Sequence, residues 1–225
     1  MQEREISLDT ETTGFRPHEG HRIVEIGCVE MINRIPTGKV FHKYINPQRD
    51  MPIGAFNVHG LSEEFLSDKP LFSEICDDFI NFVGNSKLII HNAQFDMNFI
   101  NAELFHIKKK GLMNDQAFCT LEYARKKFPG SPASLDALCK RFGIDISSRT
   151  KHGALLDAEL LAEMYLELMG GPQVALNLGT ESNEATKKIS KKTKKLEARP
   201  ANISSDEIAK HNEFISDLKD PLWLQ

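Results

Sequence analysis

Three short stretches of this chain place carboxylates, and once an imidazole, where an apolar segment has just ended. The first is Asp9-Thr10-Glu11-Thr12-Thr13-Gly14, directly after the apolar Ile6-Ser7-Leu8. Side chains alternate along an extended strand, so Asp9 and Glu11 point to the same side. Two like charges held side by side at the end of a buried strand need a raised pKa, a basic partner or a bound cation. A ligand set made only of oxygens favours Mg²⁺ or Mn²⁺ over zinc. Alone, the stretch reads as readily as an exposed acidic turn. The second is His91-Asn92-Ala93-Gln94-Phe95-Asp96, after the short apolar run Leu88-Ile89-Ile90. A lone Asp96 at a helix start is the acid that the helix dipole favours. The third is His152-Gly153-Ala154-Leu155-Leu156-Asp157. His152 lies in a polar loop that includes Arg149, and Asp157 lies on the first turns of a long helix. A solitary His is more often structural or solvated than catalytic, but a Gly-flanked His beside an Asp is placed to swing over a metal site.

The elements that must position these groups are legible from apolar periodicity. Residues 6–8, Arg22 to Met31, Val40 to Ile45 and 88–90 read as strands. Helical spacing covers Phe72–Val83, Phe95–Leu104, Leu121–Phe128 and Leu135–Phe142, and is strongest over Ala154–Met169. Strands come first and helices dominate later, so the expected class is α/β, a mixed sheet flanked by helices. Gly170-Gly171-Pro172 stops the last of these helices. Residues 171–200 read as a flexible polar linker. Residues 201–225 regain pattern: Ser204-Ser205-Asp206-Glu207 has the form of a capping box. Ile208 and Ile215 share a helical face with Phe214 beside it, and the single Trp, Trp223, follows. This segment is either a frayed tail or, the stronger reading, a docking peptide.

The 225 residues suit one domain and an appendage. No window approaches a membrane span, and no signal-peptide core stands at the start. The four cysteines have no metal or disulfide spacing, which points to a reducing, cytoplasmic setting. The net charge is −4. Seven cations against two carboxylates give residues 183–200 a net +5, which leaves −9 for the rest. Such a chain does not grip nucleic acid by bulk charge, but nucleic-acid chemistry at a metal site remains open to it.

The order Asp, Glu, Asp, His, Asp in these three motifs resembles the DEDDh 3′→5′ exonucleases, the DnaQ-like group with a ribonuclease H-like fold, over about residues 4–170. Asp-x-Glu-Thr-Thr-Gly, His-Asn-x-x-Phe-Asp and His-x-Ala-x-x-Asp are each weak alone and specific together. The resemblance implies that residues 1–170 form the exonuclease domain. It implies that Asp9, Glu11, Asp96 and Asp157 are catalytic and hold two Mg²⁺ (or Mn²⁺) ions. It makes His152 the general base rather than a ligand, a role suited to a side chain that ordinarily titrates near neutrality. The product would be a nucleoside 5′-monophosphate taken from a DNA 3′ end. For the terminal nucleotide it implies Thr12, Thr13 and Gly14 near the sugar and Phe15 against the base. Val58 or Leu61 would serve as a wedge, His59 would meet sugar or phosphate, and Asn92 and Phe95 would line the pocket. For Val58 and Phe95 a core role is as good a reading.

The layout beyond residue 170 resembles the epsilon subunits of bacterial DNA polymerase III. That implies proofreading, with Gln173, Leu176 and Leu178 of the peptide 173–178 binding the sliding clamp. Ile208, Phe214, Ile215 and Trp223 would bind the polymerase III alpha subunit. The plain alternative for 173–178 is a linker that contains two leucines. Two other functions stay in view: a DEDDh ribonuclease that trims RNA 3′ ends, and a non-enzymatic adaptor built on the same fold.

Overall fold

The structure is a computed structural model that describes residues 3–147, 149, 151–171 and 204–216. The chain divides into two units, Met1–Ala175 and Leu176–Gln225. The expected linker with Gln173, Leu176 and Leu178, and the terminal Trp223, lie outside the described residues. No helix among the described residues is long and apolar enough to cross a membrane.

In the first unit five strands form one sheet: β1 (Arg4–Thr12), β2 (Ile23–Ile32), β3 (Ile35–Tyr44), β4 (Lys87–Ile90) and β5 (Ala117–Cys119). Their order is β3-β2-β1-β4-β5. The β1–β2 and β2–β3 pairs are antiparallel, and β1–β4 and β4–β5 are parallel. Among the described residues, seven α-helices accompany them: α1 (Ile53–His59), α2 (Glu63–Leu66), α3 (Phe72–Val83), α4 (Ala93–His106), α5 (Thr120–Lys127), α6 (Leu135–Phe142) and α7 (Ala154–Leu168). The architecture is the mixed, helix-flanked sheet that the periodicity predicts.

The differences have local causes. β1 runs on through the acidic motif to Thr12, because β2 pairs with it along that length. Asp9 and Glu11 therefore sit within a strand rather than beyond its end. β3 starts at Ile35 because Asn33 and Arg34, at φ 52 and 69, make a two-residue hairpin. Helix α1 has only seven residues, too few for a period to stand out, and its Ile53 and Phe56 are exposed.

The strand alternation sorts the two faces. Ile6 and Leu8 join α3 and α4 in one core, through Ile75, Phe79, Met97 and Ile100. Glu5, Ser7, Asp9 and Glu11 alternate to the α7 side. There the Ser7 hydroxyl donates to the Ala158 carbonyl at 2.7 Å, and the Tyr165 hydroxyl donates to Glu5 Oε1 at 2.7 Å. α7 thus partners the Ser7 hydroxyl and one oxygen of Glu5, while Glu5 Oε2 is buried without a hydrogen bond. Val29, Met31 and Ile89 complete this second core with α5, α6 and α7.

Two contacts fix the helices that carry acids. Arg22, just before β2, donates to both oxygens of the buried Glu103 on α4, at 2.7 and 2.6 Å. The Ile23 amide donates to Glu103 Oε1 at 3.2 Å, which sets the rotation of α4. On the other face Gly27 lies opposite Asp9 in the β1–β2 register. A Cβ there would fall 2.3 Å from Ala154 C and from Leu155 N, so the start of α7 rests on strand backbone. Gly27→Ala is expected to cost about 1–3 kcal/mol through overpacking. Denaturant unfolding checks this, and a variant as stable as the parent would show that α7 can lift off freely.

Candidate active site

The acidic groups converge at the carboxyl end of β1. Asp9 and Glu11 project from β1 toward α7. Asp157, in the first turn of α7, is buried at the same level. Asp96, in the first turn of α4, reaches in from the other face, where its Oδ1 accepts from the Thr10 hydroxyl at 2.7 Å. Asn92 makes that turn possible: it stands in the left-handed region, φ 70, between β4 and α4. Ligand atoms of Glu11, His152 and Asp157 lie within 4.8 Å of one another, and Asp9 and Asp96 adjoin this set without belonging to it.

The electrostatics follow from crowding in a low dielectric. Burial, then Asp96, Glu11 and Asp157, push Asp9 well above the usual carboxylate range. Burial, then Asp157, Glu25 and Asp96, raise Glu11 to about 8. Burial raises Asp96 to about 7 against the opposing Thr10 bond. For Asp157 burial acts upward, but the bonds from His152 and Arg149 outweigh it and hold the group below its ordinary value. Three carboxylates that resist ionisation, beside Asp157 and the His152 ring, fit a divalent cation.

His152 sits in the loop before α7, and its amide donates to the Val58 carbonyl at 3.2 Å. Its Nδ1 lies 2.7 Å from Arg149 Nη2 and 3.2 Å from Asp157 Oδ2. Arg149 is the functional group that the sequence reading passes over. Its guanidinium bonds both oxygens of Asp157, at 2.5 and 2.6 Å, and also bonds Asp136. A loop arginine eight residues from its partner carries no periodic signal. His91 is the other omission. It lines the same hollow as Asp9, Arg149, His152 and Asp157, and burial lowers its pKa to about 4.

Beside the acids is an apolar cavity of about 470 Å³, whose walls include Thr12, Thr13, Gly14, Phe15, Val58, His59 and Phe95. The structure brings these expected residues together, but Leu61 and Asn92 stand outside the lining. The threonine hydroxyls are used within the loop. Thr12 donates to the Gly14 carbonyl at 2.6 Å, and Thr13 Oγ1 accepts from the Arg22 amide at 3.0 Å and meets His21 Nδ1 at 3.1 Å. Gly14 leaves room for the His21 ring, which a Cβ would approach to 2.4 Å. Leu61 acts through its amide, which donates to His59 Nδ1 at 3.0 Å. The proton of the His59 ring is therefore on Nε2. Burial keeps that ring neutral against the opposing Thr12 backbone contact, and Nε2 is buried without a partner of good hydrogen-bond geometry. A bound ligand's acceptor would compete with the Thr12 backbone for that proton. Phe15 is 84% exposed at the rim.

In the second unit the capping box forms. The Glu207 amide donates to Ser204 Oγ at 3.3 Å, and the Ser204 amide donates to Glu207 Oε2 at 2.9 Å. Helix α8 (Ser205–Ser216) follows, with Ile208 and Phe214 exposed and Ile215 buried.

The raised carboxylates give a signed pH dependence. A carboxyl with a folded-state pKa above its unfolded value stabilises the fold at low pH, and this contribution is lost as pH rises through the folded value. In chelator, the melting temperature is expected to fall between about pH 5 and pH 8 as Glu11 and Asp96 ionise, and Mg²⁺ should restore more at pH 8 than at pH 5. Equal Mg²⁺ shifts at both pH values would contradict the crowding described above.

A protein-family model described as "Exonuclease" matches residues 6–165. The DNA polymerase III subunit epsilon of Rickettsia felis is 53% identical over 224 residues, 96% of each chain. Exonuclease X in complex with 5′ overhanging duplex DNA shares 27% identity and a TM-score of 0.56, over 74% of this chain and 90% of that one. The nuclease domain of 3′hExo, a DEDDh family member bound to rAMP, shares the fold with a TM-score of 0.63 at 16% identity, over 75% and 92%. With its carboxylates and His152 brought together at the end of β1, the chain belongs to the exonuclease family, as a 3′→5′ exonuclease related over 96% of its length to a DNA polymerase III epsilon subunit.

Proposed function

We propose that this chain removes mispaired 3′-terminal nucleotides from DNA during replication, as the proofreading subunit of a polymerase III in the cytoplasm. The observation that carries the reading is the junction of the buried carboxylates with the apolar cavity. The cavity accepts an unpaired nucleoside through its base and sugar, without reading base identity. The carboxylates then stand at its 5′-phosphate. Asp9, Glu11, Asp96 and Asp157 would hold two Mg²⁺ or Mn²⁺ ions, which lower the pKa of a bound water and offset charge on the leaving 3′ oxygen. The chain's own residues do the rest. Phe15, Val58 and Phe95 exclude water around the base. His59 Nε2–H donates to an acceptor on the sugar or phosphate. His152 takes the proton of the attacking water, and its loop is tied to the cavity wall through the Val58 carbonyl.

The acidic domain gains little from phosphate contacts, so tethering to a polymerase already on DNA supplies effective concentration. We assign that tether to the segment after residue 170, with residues 173–178 on the sliding clamp. Of the expected residues Ile208, Phe214, Ile215 and Trp223, we assign Ile208, Phe214 and Trp223 to the surface for the alpha subunit, since Ile215 is buried. The exposure of Ile208 and Phe214 suits a partner-facing helix.

The test is stepwise degradation of single-stranded DNA and RNA oligonucleotides, with Mg²⁺ and with chelator. DNA degradation is expected to require metal and to vanish in Asp9→Ala. His152→Ala should slow it by about 10²–10⁴-fold, the span of general-base assistance, while retaining metal binding. A strong preference for RNA would move the assignment to 3′-end trimming. Deleting residues 171–225 should spare hydrolysis of short oligonucleotides and abolish co-purification with the polymerase subunit. A folded truncation with no basal activity would refute the modular division.

A further inference from the structure

Arg149 is the one cation that reaches into the acidic cluster among the described residues, and its side chain is only 8% exposed. Its fork spans three groups. Nε and Nη2 bond the two oxygens of Asp157, Nη2 also meets His152 Nδ1, and Nη1 bonds Asp136 at the start of α6. Its charge opposes the upward push on both Asp9 and Glu11. We propose that Arg149 is a positioning residue that stands in for the divalent cation: it holds Asp157 and His152 in place in the metal-free protein, then yields Asp157 to the metal while remaining attached to Asp136. This inference rests on the metal-site reading given above.

The physical case is one of competition. Both oxygens of Asp157 face the guanidinium. A divalent cation on the same carboxylate would lie within a few ångströms of a fixed positive charge and repel it. Arg149 has somewhere to go. Asp136 is about half exposed, whereas Asp157 is almost fully buried, so swinging outward on the Asp136 contact trades a buried partner for a wetter one. That movement also changes His152. An arginine N–H can only donate, so while Arg149 is the nearer partner Nδ1 accepts and the ring proton sits on Nε2. Neither ring nitrogen then has a lone pair free for water. Once Arg149 leaves, Nδ1–H can turn to Asp157 Oδ2, already 3.2 Å away, and the Nε2 lone pair opens for a proton. One displacement thus readies the ligand and the base together. A purely structural ion pair would have no reason to include the base.

The test compares the full chain with Arg149→Met, which keeps length and removes charge. Calorimetric titration with Mn²⁺ should show the variant binding about tenfold more tightly, the ratio that corresponds to about 1.4 kcal/mol of lost competition. In chelator the same variant should melt at a lower temperature, and ¹⁵N spectra of the His152 ring should shift from the Nε2–H toward the Nδ1–H tautomer. Arg149→Lys, which keeps the charge and loses the fork, should fall between the two and serves if Arg149→Met does not fold. Equal or weaker Mn²⁺ binding by the folded variants overturns the proposal and makes Arg149 an ordinary brace. A parent protein that binds no Mn²⁺ overturns the metal reading and this inference with it, whereas parent binding with unchanged variants overturns this inference alone.

Discussion

Four carboxylates held together at the end of one buried strand repel each other, and the rest of the molecule is arranged around that repulsion. Ordinary folding physics would disperse them. Here β1 is covered on both faces, so Glu11 is buried and Asp9 is half-buried at the edge of a hollow. Asp96 is delivered by a helix locked through the Arg22–Glu103 pair. Asp157 is delivered by a helix seated on Gly27. Protons, Arg149 or metal must offset the charge, and the fold admits each of the three. The cost of crowding is concentrated at the site and is balanced by two conventional apolar cores.

Much of this was legible from the chain alone. The alternation of Ile6-Ser7-Leu8-Asp9 is enough to place Asp9 and Glu11 on one side of a strand. The stripes over Phe72–Val83 and Leu135–Phe142 match α3 and α6 at both ends. What escaped was structure that follows pairing or loops rather than period. β5 has three residues, too few for a pattern. The Asn33–Arg34 hairpin lacks the glycine that usually marks such a turn. Thr12 and Thr13, placed near the sugar by the resemblance, do line the cavity, and their hydroxyls also close the loop. Arg149 is the instructive case, since charge pairing across a loop has no spacing rule to reveal it.

The two units differ in what they hold. The first contains the four carboxylates, His152 and the apolar cavity. In the second the capping box holds a short helix with apolar residues on its surface. On the proposed function, an acidic domain would compete weakly for DNA when free and better when tethered.

The contact between Gly27 and the start of α7 has a consequence for precision. Most helices rest on sheets through side chains, which exchange rotamers and blur the spacing by fractions of an ångström. At Gly27 there is no such cushion, because backbone meets backbone. The separation between the two elements that bear Asp9 and Asp157 is therefore set by atomic radii rather than by packing choices. The tolerance of the site is that of a covalent frame, and the surrounding core can drift in sequence without detuning it.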